Sequence, residues 1–435
     1  MNRLDWISQR GRPLHGDVRI PGDKSVSHRA LMLSAIAEGT SRIRGFLEGE
    51  DTRATAAVLA QLGVRIETPS AGERVVHGVG LHGLRGSSQP LDCGNAGTGM
   101  RLLTGLLAGQ AFDSVLVGDD SLSKRPMRRV TDPLTHMGAR IDSRDGLPPL
   151  HVHGDQALRG IRYELPVASA QVKSALLLAG LYAAGDTEII EPHPTRDYTE
   201  RMLAAFGWPI RFSPGHATLE GGHALRATDV DVPADFSSAA FFMVAASIVP
   251  GSELRLPAVG LNPRRTGLLH ALRLMGADIT VENERSAGGE PVGDLVVRHA
   301  PLRGVELPEA LVPDMIDEFP ALFIAAAVAS GDTVIRGAAE LRVKESDRIA
   351  TMAAGLRALG ASIEETPDGA IIHGGSLGAG SVDTHLDHRI AMSFTVAGLV
   401  ASGPVRINDC THVATSFPGF LELANECGFA LLAAR

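Results

Sequence analysis

The chain has 435 residues, enough for two domains or more. It is 44% apolar and 21% charged, with a net charge of −9, so the broad basic surface of a nucleic-acid binder is excluded. Its three cysteines, Cys93, Cys410 and Cys427, show no CxxC spacing, which argues against a disulfide framework or a structural zinc site and fits a reducing compartment. No apolar run reaches membrane-spanning length without a Gly or polar break, and MNRLDWISQRGR has no apolar signal core. The expectation is a cytoplasmic globular protein with no membrane or nucleic-acid partner.

In chain order, the first strong element is PGDKSVSHRALMLSAIAE from Pro21. It opens on a Gly-Asp turn and becomes a helix that is apolar nearly all round, which belongs in an interior. Its first turn carries Lys24, Ser25, Ser27, His28 and Arg29. Unpartnered N–H groups and the positive dipole end make such a turn an anion site.

Comparable apolar rods follow from Met100, Gln171, Ser237, Phe319 and His388. A second marker alternates with them, a helix ending in an apolar residue and then Gly, leading into a short strand. It occurs at Gly63, Gly138, Gly207, Gly276, Gly360 and Gly428. The intervals of about 70 to 85 residues indicate internal duplication. Gly supplies the left-handed cap. Each repeat therefore reads as strand, buried helix, strand, amphipathic helix and one or two further strands. Three repeats fill each half. The strand around Val18 to Pro21 has no partner in the first repeat and is expected to pair with the second half. The predicted fold is α/β: a two-domain inside-out α/β barrel of six repeated units, with buried helices and outer sheets. The predicted domains are 23–228, and 1–22 plus 229–435, with the active site in the cleft between them.

The rod mouths carry the chemistry. They offer Lys24, Ser25 and Arg29; NAGTG with Gly97, then Arg101; Ser169, Ala170 and Gln171; Ser237 and Ser238; Asp317 and Glu318; and Asp387, His388 and Arg389. The amphipathic helices open on Lys124-Arg125, Arg196-Asp197 and Lys344-Glu345 with Arg348. Arginine forks bind phosphate and carboxylate. Asp317 and Glu345 supply proton transfer. Taken singly, a first-turn cation is usually solvated, Ser169 and Ser237 suit capping, and NAGTG lacks the dinucleotide-site pattern. The coincidence of all six mouths favours a small substrate carrying phosphate and carboxylate.

PGDKSVSHRALMLSAIAEG, GNAGTGMRLL, SLSKRPM, ASAQVKSALLLAGL, TRDYTE, RVKESDRI, THLDHRIAMSF and TSFPGF, in this order, resemble the 5-enolpyruvylshikimate-3-phosphate synthase family across nearly the whole chain. MIDEFP and SAQVKSALLLAG look like the second of its two sequence classes. The resemblance implies transfer of the enolpyruvyl group of phosphoenolpyruvate to the 5-hydroxyl of shikimate 3-phosphate. Phosphate is released through a tetrahedral ketal, with no metal or organic cofactor. It implies that Lys24, Ser25, Arg29, Ser169, Ala170, Gln171, Arg196, Asp317 and Lys344 hold shikimate 3-phosphate. Phosphoenolpyruvate would meet Lys24, Gly97, Arg125, Gln171, Arg348 and Arg389. Asp317, Glu345 and Lys24 would be catalytic. Asp317 would take the proton of the attacking hydroxyl, and Glu345 would handle the proton at the methylene carbon.

Thr415 stands where some members carry Lys, which shifts weight to Arg389 and Lys24. The family's inhibitor glyphosate is an expected ligand, because Gly97 leaves room where tolerant members can have Ala. A monomer is expected, closing on shikimate 3-phosphate. The alternative is the related UDP-N-acetylglucosamine enolpyruvyl transferase, which typically has a reactive loop Cys. Cys93, just before NAGTG, is not so placed. A non-catalytic binder of anionic metabolites would be expected to lack Asp317 or Glu345.

Overall fold

The computed structural model describes residues 4–287 and 289–434. Of the expected second domain, residues 1–3, 288 and 435 lie outside the described residues. Among the described residues are twelve α-helices and six small sheets. The helices follow in pairs: α1 (Lys24–Ala35) and α2 (Glu50–Gln61), α3 (Gly97–Ala108) and α4 (Arg128–His136), α5 (Ala170–Gly180) and α6 (Tyr198–Ala205). Then come α7 (Phe236–Ile248) and α8 (Gly267–Leu274), α9 (Phe319–Ala327) and α10 (Arg348–Ala358), α11 (His388–Gly398) and α12 (Phe420–Cys427). The first of each pair is an apolar rod and the second is amphipathic, as the repeat predicts.

The rods form where the sequence offers no polar face. All thirteen residues of α7, FSSAAFFMVAASI, are buried. Each large apolar side chain taken from water there contributes about 1.5–3 kcal/mol. Asp235 starts this helix, its Oδ1 accepting from Ser237 N at 2.7 Å, a cap worth about 1 kcal/mol. The glycines after the amphipathic helices adopt φ between 82° at Gly207 and 121° at Gly428, a region that L side chains rarely enter.

The chain divides into two compact units. One comprises Gly22–Pro233 with Ser286–Glu290, and the other Met1–Pro21, Ala234–Arg285 and Pro291–Arg435. In the first, α1, α3 and α5 pack together inside three sheets; in the second, α7, α9 and α11 do the same. Each unit has its own apolar core. This is the inside-out α/β architecture.

The strands leading into the first and fourth rods are exchanged between repeats. His15–Asp17, before α1, runs parallel to Glu253–Arg255 of the fourth repeat. Val230–Asp231, before α7, runs parallel to Ile43–Arg44 of the first. The opening strand thus pairs with the second half, but it lies at 15–17 rather than 18–21. Val18 N still donates to Arg255 O at 2.8 Å, while Pro21 has no N–H to continue the ladder. Asp5–Gln9, not anticipated, sits inside the sixth sheet between Val405–Asn408 and Ala430–Ala434. The fifth sheet has three strands, because its lead-in, bounded by Pro301 and Pro308, forms only the bridges Arg303–Ser330 and Glu306–Val334.

Candidate active site

The candidate residues fall into two clusters, one in each unit. In the first, Asp23 caps α1 by accepting from Val26 N at 2.8 Å, which orients the Lys-Ser turn after it. Lys24 Nζ lies 3.0 Å from Asp51 Oδ2, so its ammonium is anchored by the first residues of α2. Arg29 is buried. Its Nε donates to Thr199 Oγ1 at 2.7 Å, Nη1 to Ser25 O at 2.9 Å and Nη2 to Ser174 Oγ at 2.8 Å. Ser174 Oγ in turn donates to Ala170 O at 2.6 Å. The guanidinium thus ties the mouth of α1 to that of α5. Burial, and then the positive charge of Arg196, lower the Arg29 pKa to about 10, which leaves it cationic at neutral pH.

The mouths of α3 and α5 meet through a second arginine. Arg101 Nη1 donates to Gln171 Oε1 at 2.8 Å, and Gln171 Nε2 to Thr98 Oγ1 at 2.9 Å. Arg125 Nη2 donates to Asn95 Oδ1 at 2.7 Å, and Asn95 Nδ2 to Asp119 Oδ2 at 2.7 Å. Gly97 lies against these guanidinium groups. A Cβ there would stand 2.9 Å from Arg125 Nη1 and 3.2 Å from Arg101 Nη1. Ser169 caps α5, its Oγ accepting from Val172 N at 3.4 Å. Lys173, one turn inside, is buried against Glu191 at 2.7 Å and Glu200 at 2.8 Å. Burial opposes its charge, but the two carboxylates outweigh burial and raise its pKa. It therefore belongs to the scaffold beneath the mouth.

In the second unit, Asp317 faces three cations. Its carboxylate oxygens lie 3.6 Å from Arg348 Nη1, 3.8 Å from Arg265 Nη1 and 3.9 Å from Lys344 Nζ. Burial lowers the Lys344 pKa, with Asp317 and Glu340 acting in the opposite direction. Glu345 Oε2 accepts from Arg348 Nη2 at 2.6 Å. Arg348 is buried and also donates from Nε to Asp387 Oδ2 at 2.8 Å. Burial disfavours its charge, yet Asp387, Glu345 and Asp317 together hold its pKa above the usual arginine value. Asp387 caps α11, accepting from Arg389 N at 2.9 Å, which sets the buried Arg389 beside this group. Glu318, adjacent to Asp317, shares the Arg265 guanidinium with it, lying 3.6 Å from Nε, and is hydrogen-bonded to Ser237.

Asp51, Arg265 and Asp387, which contact Lys24, Asp317 and Arg348, are not among the residues that the resemblance assigns to substrate, although Asp387 was read as part of the sixth rod's mouth. Arg265 had a signal: Arg264-Arg265 precedes α8 much as Lys124-Arg125 precedes α4. Thr415 closes a 3-10 turn, donating to His412 O at 2.7 Å. The three cysteines are free and buried, and burial pushes the Cys93 thiol up to about 12, so none resembles an activated nucleophile. Among the described residues no helix is long and apolar enough to cross a membrane.

The arrangement offers fixed cations for phosphate and carboxylate, and three carboxylates, Asp317, Glu345 and Asp387, held on one buried guanidinium. Residues 8–423 match the model of the EPSP synthase (3-phosphoshikimate 1-carboxyvinyltransferase) family. The chain is 71% identical over 429 residues to the 3-phosphoshikimate 1-carboxyvinyltransferase of Xanthomonas campestris pv. campestris strain B100, covering 98% of each. It is 70% identical over 435 residues to that of Xanthomonas oryzae pv. oryzae strain PXO99A, covering 100% of this chain and 99% of the other. The solved structure of the EPSP synthase from Acinetobacter baumannii superposes with a TM-score of 0.90 at 52% identity, covering 100% of both chains. The UDP-N-acetylglucosamine alternative is not favoured. The chain belongs to the EPSP synthase (3-phosphoshikimate 1-carboxyvinyltransferase) family.

Proposed function

We propose that this chain transfers the enolpyruvyl group of phosphoenolpyruvate to the 5-hydroxyl of shikimate 3-phosphate, releasing phosphate, in aromatic amino-acid biosynthesis in the cytoplasm. The observation that carries the mechanism is the pair of carboxylates on Arg348, with Asp317 at 3.6 Å and Glu345 at 2.6 Å. The enol phosphate must gain a proton at carbon as the hydroxyl loses one, so two separate proton carriers are needed. Asp317, beside Lys344, takes the hydroxyl proton. Glu345 delivers a proton to the methylene carbon and later removes one.

In this reading, Ser25, Arg29, Ser169, Ala170, Gln171 and Arg196 hold shikimate 3-phosphate, with its phosphate at Ser169, Ala170 and Arg196. Lys24 serves both substrates. Gly97, Arg125, Gln171, Arg348 and Arg389 receive phosphoenolpyruvate, and the cations stabilise negative charge on the departing phosphate. No step calls for a metal or organic cofactor. Each of the two domains, 23–228 and 1–22 plus 229–435, supplies part of the set, and the monomer is the working unit. Glyphosate competes at the phosphoenolpyruvate residues.

The test is phosphate release by the purified chain in the presence of a chelator, with each substrate omitted in turn. Release that needs both substrates and yields an enolpyruvyl ether supports the reading. Release only with UDP-N-acetylglucosamine moves the assignment to the related transferase. Tight shikimate 3-phosphate binding without turnover makes the chain a binder.

A further inference from the structure

We propose that Asp113, His151 and His153 form a binding site for a transition-metal ion of the Zn²⁺ type on the second sheet of the Gly22–Pro233 unit. These residues belong to neither cluster above. His151 lies in the strand Leu147–Val152 and His153 follows two residues later, so the period of a strand puts both on one face. Their ring centroids are 4.3 Å apart. The neighbouring strand Ser114–Val117 runs antiparallel, with Ser114 opposite Val152, which brings Asp113 alongside the pair.

One donor atom from each of the three residues lies within 4.8 Å of the others. The Asp113 carboxylate is already oriented, because Oδ1 accepts from Gly154 N at 2.9 Å and Oδ2 lies 3.6 Å from His151 Nε2. His153 Nε2 lies 2.7 Å from Asp142 Oδ2 on the third strand. A carboxylate on one ring nitrogen fixes the imidazole and makes the other a better ligand, the usual support for a metal-bound histidine. Zinc bonds of about 2.0–2.2 Å need the donors drawn closer together than they stand. The Asp113 and His151 side chains are 63% and 41% exposed, so they have the freedom to rotate inward. Two imidazoles with one carboxylate suit Zn²⁺, Ni²⁺ or Co²⁺ rather than Mg²⁺ or Ca²⁺, with water completing the shell. The simpler arrangement is a surface pair of histidine–carboxylate contacts that binds no ion.

The two are separated by titrating the tag-free, chelator-stripped full chain with Zn²⁺ by calorimetry and with Co²⁺ by visible absorption. One equivalent should bind, with a Co²⁺ d–d band. The double substitution His151→Ala/His153→Ala should abolish both signals, Asp113→Asn should weaken binding at least about tenfold, and Asp142→Asn about 10- to 100-fold. Equal melting temperatures of wild type and variants in chelator establish that the variants are folded. His151→Gln alone, a milder change, should also lose the Co²⁺ band. No binding by the wild type, or an unchanged isotherm in the double variant, overturns the proposal.

Discussion

Arg348 Nε donates to Asp387 Oδ2 at 2.8 Å, and both side chains are buried. The contact joins the first residue of α10 to the N-cap of α11, so the fifth and sixth repeats share one charge pair beneath their mouths. Removing Asp387 takes one of three carboxylates from the buried Arg348, leaving Glu345 and Asp317 to compensate in part, and takes the cap from α11. Asp387→Ala should therefore cost about 2–4 kcal/mol, one charge-assisted hydrogen bond plus a cap, read from denaturant unfolding of the variant. A loss below about 1 kcal/mol would mean that Glu345 and Asp317 suffice to hold Arg348.

The same guanidinium carries Glu345, which gives the proposed acid–base roles a kinetic signature. Asp317→Asn and Glu345→Gln should each lower kcat by about 10²- to 10⁴-fold, the range for loss of a positioned proton carrier. Shikimate 3-phosphate affinity, measured by calorimetry, should fall with Asp317→Asn and hold with Glu345→Gln. A Glu345→Gln variant with full kcat would remove this residue from the mechanism.

Gly97→Ala tests the crowding at the α3 mouth. The new methyl would stand 2.9 Å from Arg125 Nη1, so that guanidinium must shift. Inhibition by glyphosate should weaken more than the KM for phosphoenolpyruvate rises. Equal loss of both would sink the steric argument, because it would mean that Arg125 alone had been displaced.

His28 makes the fold acid-sensitive. Its ring is buried with Nδ1 2.8 Å from Thr55 Oγ1, and burial, then Lys24 and Arg29, lower its pKa to about 3. Between there and the unfolded value of 6.5, the unfolded chain binds a proton that the folded chain does not. Stability is then lost as pH falls, by up to about 1.4 kcal/mol per unit. Urea midpoints at pH 6.5 and 5 should diverge in the wild type, and His28→Asn should flatten the difference. Equal slopes in both would assign the acid sensitivity to other groups.

The repeat was legible because its markers are local. An all-apolar helix and a glycine with positive φ announce themselves in a few residues, and six of each fixed the rod count. Lys24, Arg29 and Gln171 were legible for the same reason, since a polar residue at an apolar rod's mouth stands out. What pairs with them was not. Asp51 meets Lys24 across 27 positions, and Ser174 meets Arg29 across 145, distances over which no periodicity carries information. The partners of Arg265, namely Asp235, Asp317 and Glu318, were hidden as well, because they come from two other elements. The Asp5–Gln9 strand was missed because DWISQ is short and shows its alternation only once Trp6 and Ser8 are seen buried.

In the proposed reaction the carboxyvinyl group is transferred by addition and then elimination, with Glu345 moving the proton at the methylene carbon. Running the reaction in D₂O tests it most directly, with the product read by mass spectrometry. If solvent deuterium is added to make a methyl group and one hydrogen is then removed, the product's methylene must carry deuterium. That label is expected, with its appearance slowed in Glu345→Gln. A product formed at full rate with no deuterium in the methylene would contradict it.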